Sequence, residues 1–298
     1  MGSTKLRKRK PESNLQTQEV SENQCSRNYS VNTEKISSRS QFNTKLLITL
    51  VVFRICNACI IQTYFVPDEY WQGPEVAHRL VFGYGYLTWE WREGIRGYTF
   101  PLIFTAFYKV FAFLKLDNAR IVILGPRIIQ GILAGIGDFY LYKLANKLFD
   151  HEVGVFTLLC NVLSWFNFYC VTRVLTNSTE TVLTVMGMFY WPWNTVSKQA
   201  ALQSNMHAAL LLAGAACLIR PTAAVVWLPL AILHLFTTDE KLAFLFKDAL
   251  PISLLLVGFS VIIDSWFYGK LILVQLKFLQ FNVWNNMGAF YGSHPWYW

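Results

Sequence analysis

The chain has 298 residues, of which 54% are hydrophobic, 16% aromatic and only 15% charged, with a mean hydropathy of +0.32. Soluble domains average about 25% charged residues, so a water-soluble globule is excluded and an all-α polytopic membrane protein is expected. Residues 1–45 hold nine Lys/Arg against four Asp/Glu and so supply +5 of the net charge of +8.

Residues 5–10 read KLRKRK. Alone they resemble a nucleic-acid or nuclear-targeting patch; ahead of a first apolar run, the positive-inside bias makes them a cytoplasmic anchor. No nucleic-acid partner is expected. Residues 1–44, rich in Ser, Asn, Gln and Glu, are expected to form a disordered cytoplasmic tail. The first apolar run begins only near residue 45, which predicts an uncleaved signal anchor instead of a cleavable leader.

Residues 45–298 read as one multi-span membrane domain. A spanning helix needs about 20 mostly apolar residues, and the candidate runs are 44–66, 100–116, 119–147, 152–172, 179–193, a broken pair at 207–219 and 221–237, and 248–268. Residues 74–82 and 270–284 mix apolar and polar positions and are expected to be helices lying along the membrane surface. Six cysteines are present. Cys56 and Cys59 have the spacing of half a zinc site but lie mid-span with no second pair, and no disulfide framework is legible. With the tail in the cytoplasm, the 65–98 loop falls on the opposite, luminal side.

That loop is the richest polar stretch, carrying Asp68, Glu69, Glu75, His78, Glu90 and Glu93 among Trp71, Trp89 and Trp91. Aromatic faces beside carboxylates suit a carbohydrate, whose C–H groups pack on indole while its hydroxyls bond to acids; an interfacial aromatic belt predicts Trp and Tyr there too. Pro67-Asp68-Glu69 fits the first turn of a helix, with its preset φ and favourable dipole, and equally an acid–base centre. Adjacent residues do not share a helix face, so at most one of the two acids meets a substrate hydroxyl.

Three further constellations carry chemistry. In TRVLTNSTE, Arg173 ends an apolar run, where it binds phosphate or snorkels to the interface. In LIRPTA, Arg220 and Pro221 break an apolar stretch; an intramembrane Arg is a functional candidate, unless two short spans simply meet at a loop. In FYGSHPWYW, His294 is a candidate donor to a phosphate or sugar oxygen. The sequence contains no Asp-x-Asp, no phosphate-binding Gly-Lys loop and no convincing His/Cys metal spacing, so neither a metal nor another cofactor is expected.

Taken together, PDEYWQ, GYGYLTWEW, RGYTFPLIF, IRPTA and FYGSHPWYW resemble the dolichyl-phosphate-mannose-dependent α-mannosyltransferases of the ER, within the C-type glycosyltransferase superfamily. RGYTFPLIF and YGSHPWYW look most like the branch that adds the third mannose of the GPI anchor. The resemblance implies a C-type glycosyltransferase-like transmembrane helix bundle in the ER membrane, with an essential acid on its large first luminal loop. It implies an inverting transfer of mannose from dolichyl-phosphate-mannose to a glycolipid acceptor, here a GPI precursor. Asp68 takes the role of base; Glu69, Glu90 and Trp89 hold sugar or orient the base; Arg173, Arg220 and His294 meet the donor phosphate. The same motifs fit a mannosyltransferase of lipid-linked oligosaccharide. A non-catalytic membrane protein stays open, although a transporter should show paired halves and only one Arg-Pro break is found. Family members continue past the HPWYW block with a further basic motif, so a fragment or shortened form is expected.

Overall fold

A computed structural model describes residues 41–193, 203–285 and 287. The basic tail as far as residue 40 and the block containing His294 lie outside the described residues. The described residues form helices and connecting turns, with no strand among them. Their contacts fall into two units, Met1–Ile48 and Thr49–Trp298.

Helix α1, Gln41–Ile60, is 20 residues long. It starts four residues inside the stretch assigned to the tail and stops six residues before the end of the predicted 44–66 run. The cause of the early stop is local. The carbonyls of Ile61 and Thr63 accept from Arg127 Nη1 (3.0 Å) and Arg173 Nη1 (2.7 Å), and Pro67 disfavours helix at Val66.

Four short helices follow in the predicted loop: α2 Asp68–Trp71, α3 Pro74–Phe82, α4 Trp89–Glu93 and, leading away, α5 Thr99–Phe113. Helix α3 buries Val76 and Ala77 and packs against α5, where Ala77 joins Phe100, Phe104 and Tyr108 in one core cluster.

The long helix α6, Ala119–Leu148, runs 30 residues. It packs against α7, His151–Leu163, and α9, Thr176–Tyr190. Between these, the predicted 152–172 run breaks at Ser164, whose extended backbone starts a six-residue helix α8, Trp165–Cys170. Glycines on α6 let α1 approach: a Cβ on Gly135 would lie 2.6 Å from Val51 Cα, and one on Gly131 3.0 Å from the Arg54 carbonyl oxygen. Small residues serve close helix packing in membranes in this way.

Helix α10, Met206–Ile219, packs on α9. The Arg220–Pro221 break is real: Arg220 is extended (φ −146°, ψ 107°), Pro221–Ala223 forms a tight turn, and α11 covers Ala224–Thr237. Helix α12, Lys241–Tyr268, includes wide π-type turns over Phe244–Ala249. The last helix, α13, covers Val274–Leu279 and continues as a wide turn over Gln280–Trp284.

Among the described residues α1, α6 and α12 are long and apolar enough to cross a membrane. The apolar helices at 99–113 and 151–163 are shorter than the runs read from sequence, whereas those at 206–219 and 221–237 keep the bounds of the broken pair to within one residue; fifteen residues at 1.5 Å rise cover only about 22 Å of a ~30 Å hydrocarbon core. Large apolar side chains such as Phe113 (87%), Trp266 (82%) and Phe236 (78%) lie open on the surface, as a lipid-facing exterior requires.

Inside that exterior runs a polar spine. Arg54, fully buried on α1, donates from Nε (2.6 Å) and Nη2 (3.2 Å) to the Asp138 carboxylate on α6. Asn161 Nδ2 donates to the same carboxylate (2.6 Å), Asn167 Nδ2 donates to Asn161 (2.8 Å), and Asn57 Nδ2 donates to the Phe168 carbonyl (2.8 Å). The spine ties α1, α6, α7 and α8 together. It thereby fixes the turn that leads from α8 into α9, next to the site.

Candidate active site

The two acids of PDEYWQ part company within one turn. Helix α2 begins at Asp68, so Asp68 and Glu69 are rotated about 100° from each other. Glu69 turns inward and is only 3% exposed; Asp68 stays at the surface.

Glu69 closes a buried knot. Its Oε2 accepts from Arg173 Nη1 (2.8 Å) and its Oε1 from Arg127 Nη2 (3.4 Å). Arg173 also donates to the Thr63 carbonyl (2.7 Å), the Thr63 hydroxyl (3.0 Å) and the Tyr169 carbonyl (3.0 Å), and it lies over the Tyr169 ring at 4.3 Å. At 2% exposure, all three of its guanidinium nitrogens are occupied by the protein itself. Arg127 adds a bond to the Tyr70 hydroxyl (2.9 Å). The knot therefore staples residues 61–70 to α6 and to the α8–α9 turn. Beside it lies a cleft of about 140 Å³, lined by Tyr70, Glu75, His78, Tyr108 and Arg127 among others, with Asp68 outside it.

Asp68 faces different company. Gln72 Nε2, one helical turn on, donates to its Oδ2 at 2.6 Å. The Gln72 amide cannot flip, because its oxygen accepts from the buried Thr176 hydroxyl at 3.0 Å. Loss of hydration raises the Asp68 carboxyl above the ordinary carboxylate value; the Arg96 guanidinium opposes this, Glu90 reinforces it, and Arg220 and the Gln72 bond oppose it more weakly. A single accessible carboxylate thus sits among two guanidinium groups and a second acid.

Each neighbour is itself held. Arg96 Nη2 donates to Glu90 Oε1 at 2.7 Å, both side chains about one-fifth exposed. Arg220 Nη1 donates to Glu180 Oε2 at 3.1 Å, which joins the LIRPTA break to the first turns of α9. Trp91, 2% exposed, donates from its indole to the Trp71 carbonyl (3.1 Å), pinning α4 to α2. Trp89, 40% exposed, lies against Phe281 at 5.3 Å between ring centres.

Of the residues singled out from sequence, Glu90 and Arg220 act on Asp68 through their charge, each paired with another residue, Arg96 and Glu180. Glu69 and Arg173 bind each other apart from them, Trp89 packs against Phe281, and His294 lies outside the described residues. Sequence reading missed Gln72, Arg96, Arg127 and Thr176 as partners. Only Gln72 left a trace, through its i,i+4 spacing from Asp68.

Residues 45–298 match the profile of the Alg9-like mannosyltransferase family. The chain belongs to that family. Its relatives include the mouse protein named "GPI alpha-1,2-mannosyltransferase 3", 45% identical over 276 residues, which are 92% of this chain and 50% of the relative. The human protein of the same name is 42% identical over 297 residues, 100% of this chain and 51% of the relative. "Mannosyltransferase APTG1" of Arabidopsis thaliana is 44% identical over 254 residues, 85% of this chain and 46% of the relative. The chain spans about half the length of the curated relatives it matches. No solved structure matches it. For an Alg9-like mannosyltransferase, an accessible acid beside two arginines offers a proton acceptor and an anion partner in one place.

Proposed function

We propose that the protein is an inverting GPI mannosyltransferase of the ER membrane that adds the third mannose, in α1,2 linkage, from dolichyl-phosphate-mannose to a glycolipid precursor. The observation that carries this reading is the separation of Asp68 from Glu69: one carboxylate is open and within electrostatic reach of Arg96 and Arg220, the other buried in a knot. The names of the relatives supply the acceptor pathway and linkage.

In this mechanism an acceptor hydroxyl attacks the anomeric carbon of the donor. Asp68 takes the hydroxyl proton as the new C–O bond forms, and the bond to dolichyl phosphate breaks with its electrons on the phosphate oxygen. A positioned base contributes about 10²–10⁴ in rate. Its raised pKa strengthens Asp68 as a base. Arg220, on a helix break, and Arg96 are the residues proposed to offset the charge of the departing phosphate. Arg173 held first place for that task in the sequence; its commitment to Glu69 moves Arg220 ahead of it. Glu90 orients Arg96 and sugar hydroxyls, and Trp89 offers a stacking face.

The test is rescue of cells that lack the third GPI mannose, read as surface GPI-anchored protein and as the mannolipid species that accumulates. The wild-type chain restores both, and Asp68→Ala at equal abundance does not. Full rescue by Asp68→Ala would sink the catalytic assignment. Correction of lipid-linked oligosaccharide, with GPI lipids unchanged, would move the acceptor to that pathway.

A further inference from the structure

We propose that Asp264 and Tyr268, near the end of membrane helix α12, are positioning residues that clamp the backbone of Arg96–Tyr98 and thereby set the Arg96–Glu90 pair against Asp68. This role rests on the assignment of Asp68 as the base.

The clamp has two points. The fully buried Asp264 carboxylate accepts from the Tyr98 backbone N–H at 2.8 Å, and Tyr268 Oη donates to the Arg96 carbonyl at 2.8 Å. The carboxylate is held in turn by the Ser260 hydroxyl (2.8 Å), which accepts from Gln275 Nε2 (2.9 Å). The Tyr98 ring is seated between Phe267 at 4.6 Å, Tyr268 at 5.2 Å and Trp91 at 4.9 Å. The Arg96 side chain has little holding it beyond Glu90, since its Nε is buried and without a hydrogen-bond partner among the described residues. Its position is therefore set from the backbone end.

An ionisable residue inside a membrane helix is expensive and calls for a function. Asp264 lines neither the 140 Å³ cleft nor a larger apolar groove of about 350 Å³ between α10, α11 and α12. Its contacts run to the loop and to Ser260. A stability anchor alone would need only to hold the loop down. The two bonds instead fall at the Arg96 carbonyl and the Tyr98 N–H, fixing the backbone directly after the side chain that most opposes the raised Asp68 carboxyl.

The experiment is a pH titration of the full chain in lipid nanodiscs, following the infrared C=O stretch of protonated Asp68, which Asp68→Asn identifies by removing it. Four groups set its midpoint: Arg96, Glu90, Arg220 and Gln72. Arg96→Gln is expected to move the midpoint up, because it removes a positive charge. Tyr268→Phe and Asp264→Asn are expected to move it in the same direction and to add nothing in an Arg96→Gln background. Tyr268→Phe loses one hydroxyl and keeps its ring contacts, so it serves where Asp264→Asn fails to fold. Unchanged midpoints in Tyr268→Phe, or shifts that add fully to that of Arg96→Gln, would overturn the clamp. So would an Arg96→Gln midpoint equal to wild type. Because the readout needs no turnover, a fully active Asp68→Ala would defeat the mannosyl-transfer reading while leaving the coupling measurable. In active protein, Tyr268→Phe lowers kcat by roughly 10²-fold or less, the scale of a small misplacement, with KM unchanged.

Discussion

Asp68 and Glu69 are chemically near-identical neighbours, and their surroundings predict opposite responses to the same amide substitution. Glu69→Gln removes the carboxylate that pairs with Arg173 among the described residues and leaves that buried guanidinium without this counter-charge. Breaking a buried pair from one side costs about 3–5 kcal/mol, so thermal unfolding in detergent should show a large loss of stability. Asp68→Asn should do the reverse. A carboxyl whose folded pKa lies above its unfolded value binds more protons when folded, so the ionised group disfavours folding as pH rises through that window. The amide removes that penalty, and the variant should melt no lower than wild type at neutral pH while losing activity. The same sign governs rate: the base works ionised, so activity falls as pH drops through the Asp68 pKa, with an acidic limb above the ordinary carboxylate range. Glu90→Gln removes a like charge and should shift that limb downward, measured as kcat/KM against pH. An unchanged limb would show that Glu90 does not act on Asp68. The sequence made the pair visible, the i,i+1 rule allowed only one of the two acids to meet a substrate hydroxyl, and the family resemblance pointed to Asp68 as that one. It did not reveal Arg127 or Arg173 as Glu69's partners, 58 and 104 residues away in the chain, because an ion pair between distant helices leaves no local pattern.

At the scale of helices, the Arg54–Asp138 pair is what lets a charged residue sit within α1. Both partners are at least 95% buried as side chains, and Asn161 completes the carboxylate. Arg54→Met alone strands Asp138 and should cost about 3–5 kcal/mol, whereas Arg54→Met with Asp138→Leu should recover most of it, since an apolar pair often replaces a buried ion pair without loss. Unfolding of the two variants in parallel checks this; equal damage in single and double variants would mean that Asn57, Asn161 and Asn167 depend on the charges. The helices themselves were legible from apolar runs, and the Arg-Pro break was read at its true position. The lengths were not, for two physical reasons. Backbone carbonyls at 61 and 63 are claimed by arginines distant in the chain, one on α6 and one in the α8–α9 turn, and Ser164 redirects an apolar run that composition alone reads as continuous. Apolar periodicity reports which residues leave water, and says little about which backbone groups bond to one another.

For the molecule as a whole, the decisive question is which side of the membrane holds Asp68, because in the proposed mechanism the sugar donor and its acceptor meet there. Two features bear on it independently. The +5 excess in residues 1–45 favours the cytoplasm for the start of the chain, and the segment carrying Asp68, Glu90 and Arg96 follows α1, the first helix apolar enough to cross. The apex of that segment is Tyr84, 69% exposed between Gly83 and Gly85, both with positive φ. In a variant whose six cysteines are replaced, Tyr84→Cys in sealed ER vesicles should resist a membrane-impermeant maleimide until the vesicles are opened, and Lys10→Cys should react at once. The reverse pattern would put Asp68 in the cytoplasm. A nucleotide-sugar donor would then be the chemistry to test, since the arginines around Asp68 suit a phosphate leaving group of either kind.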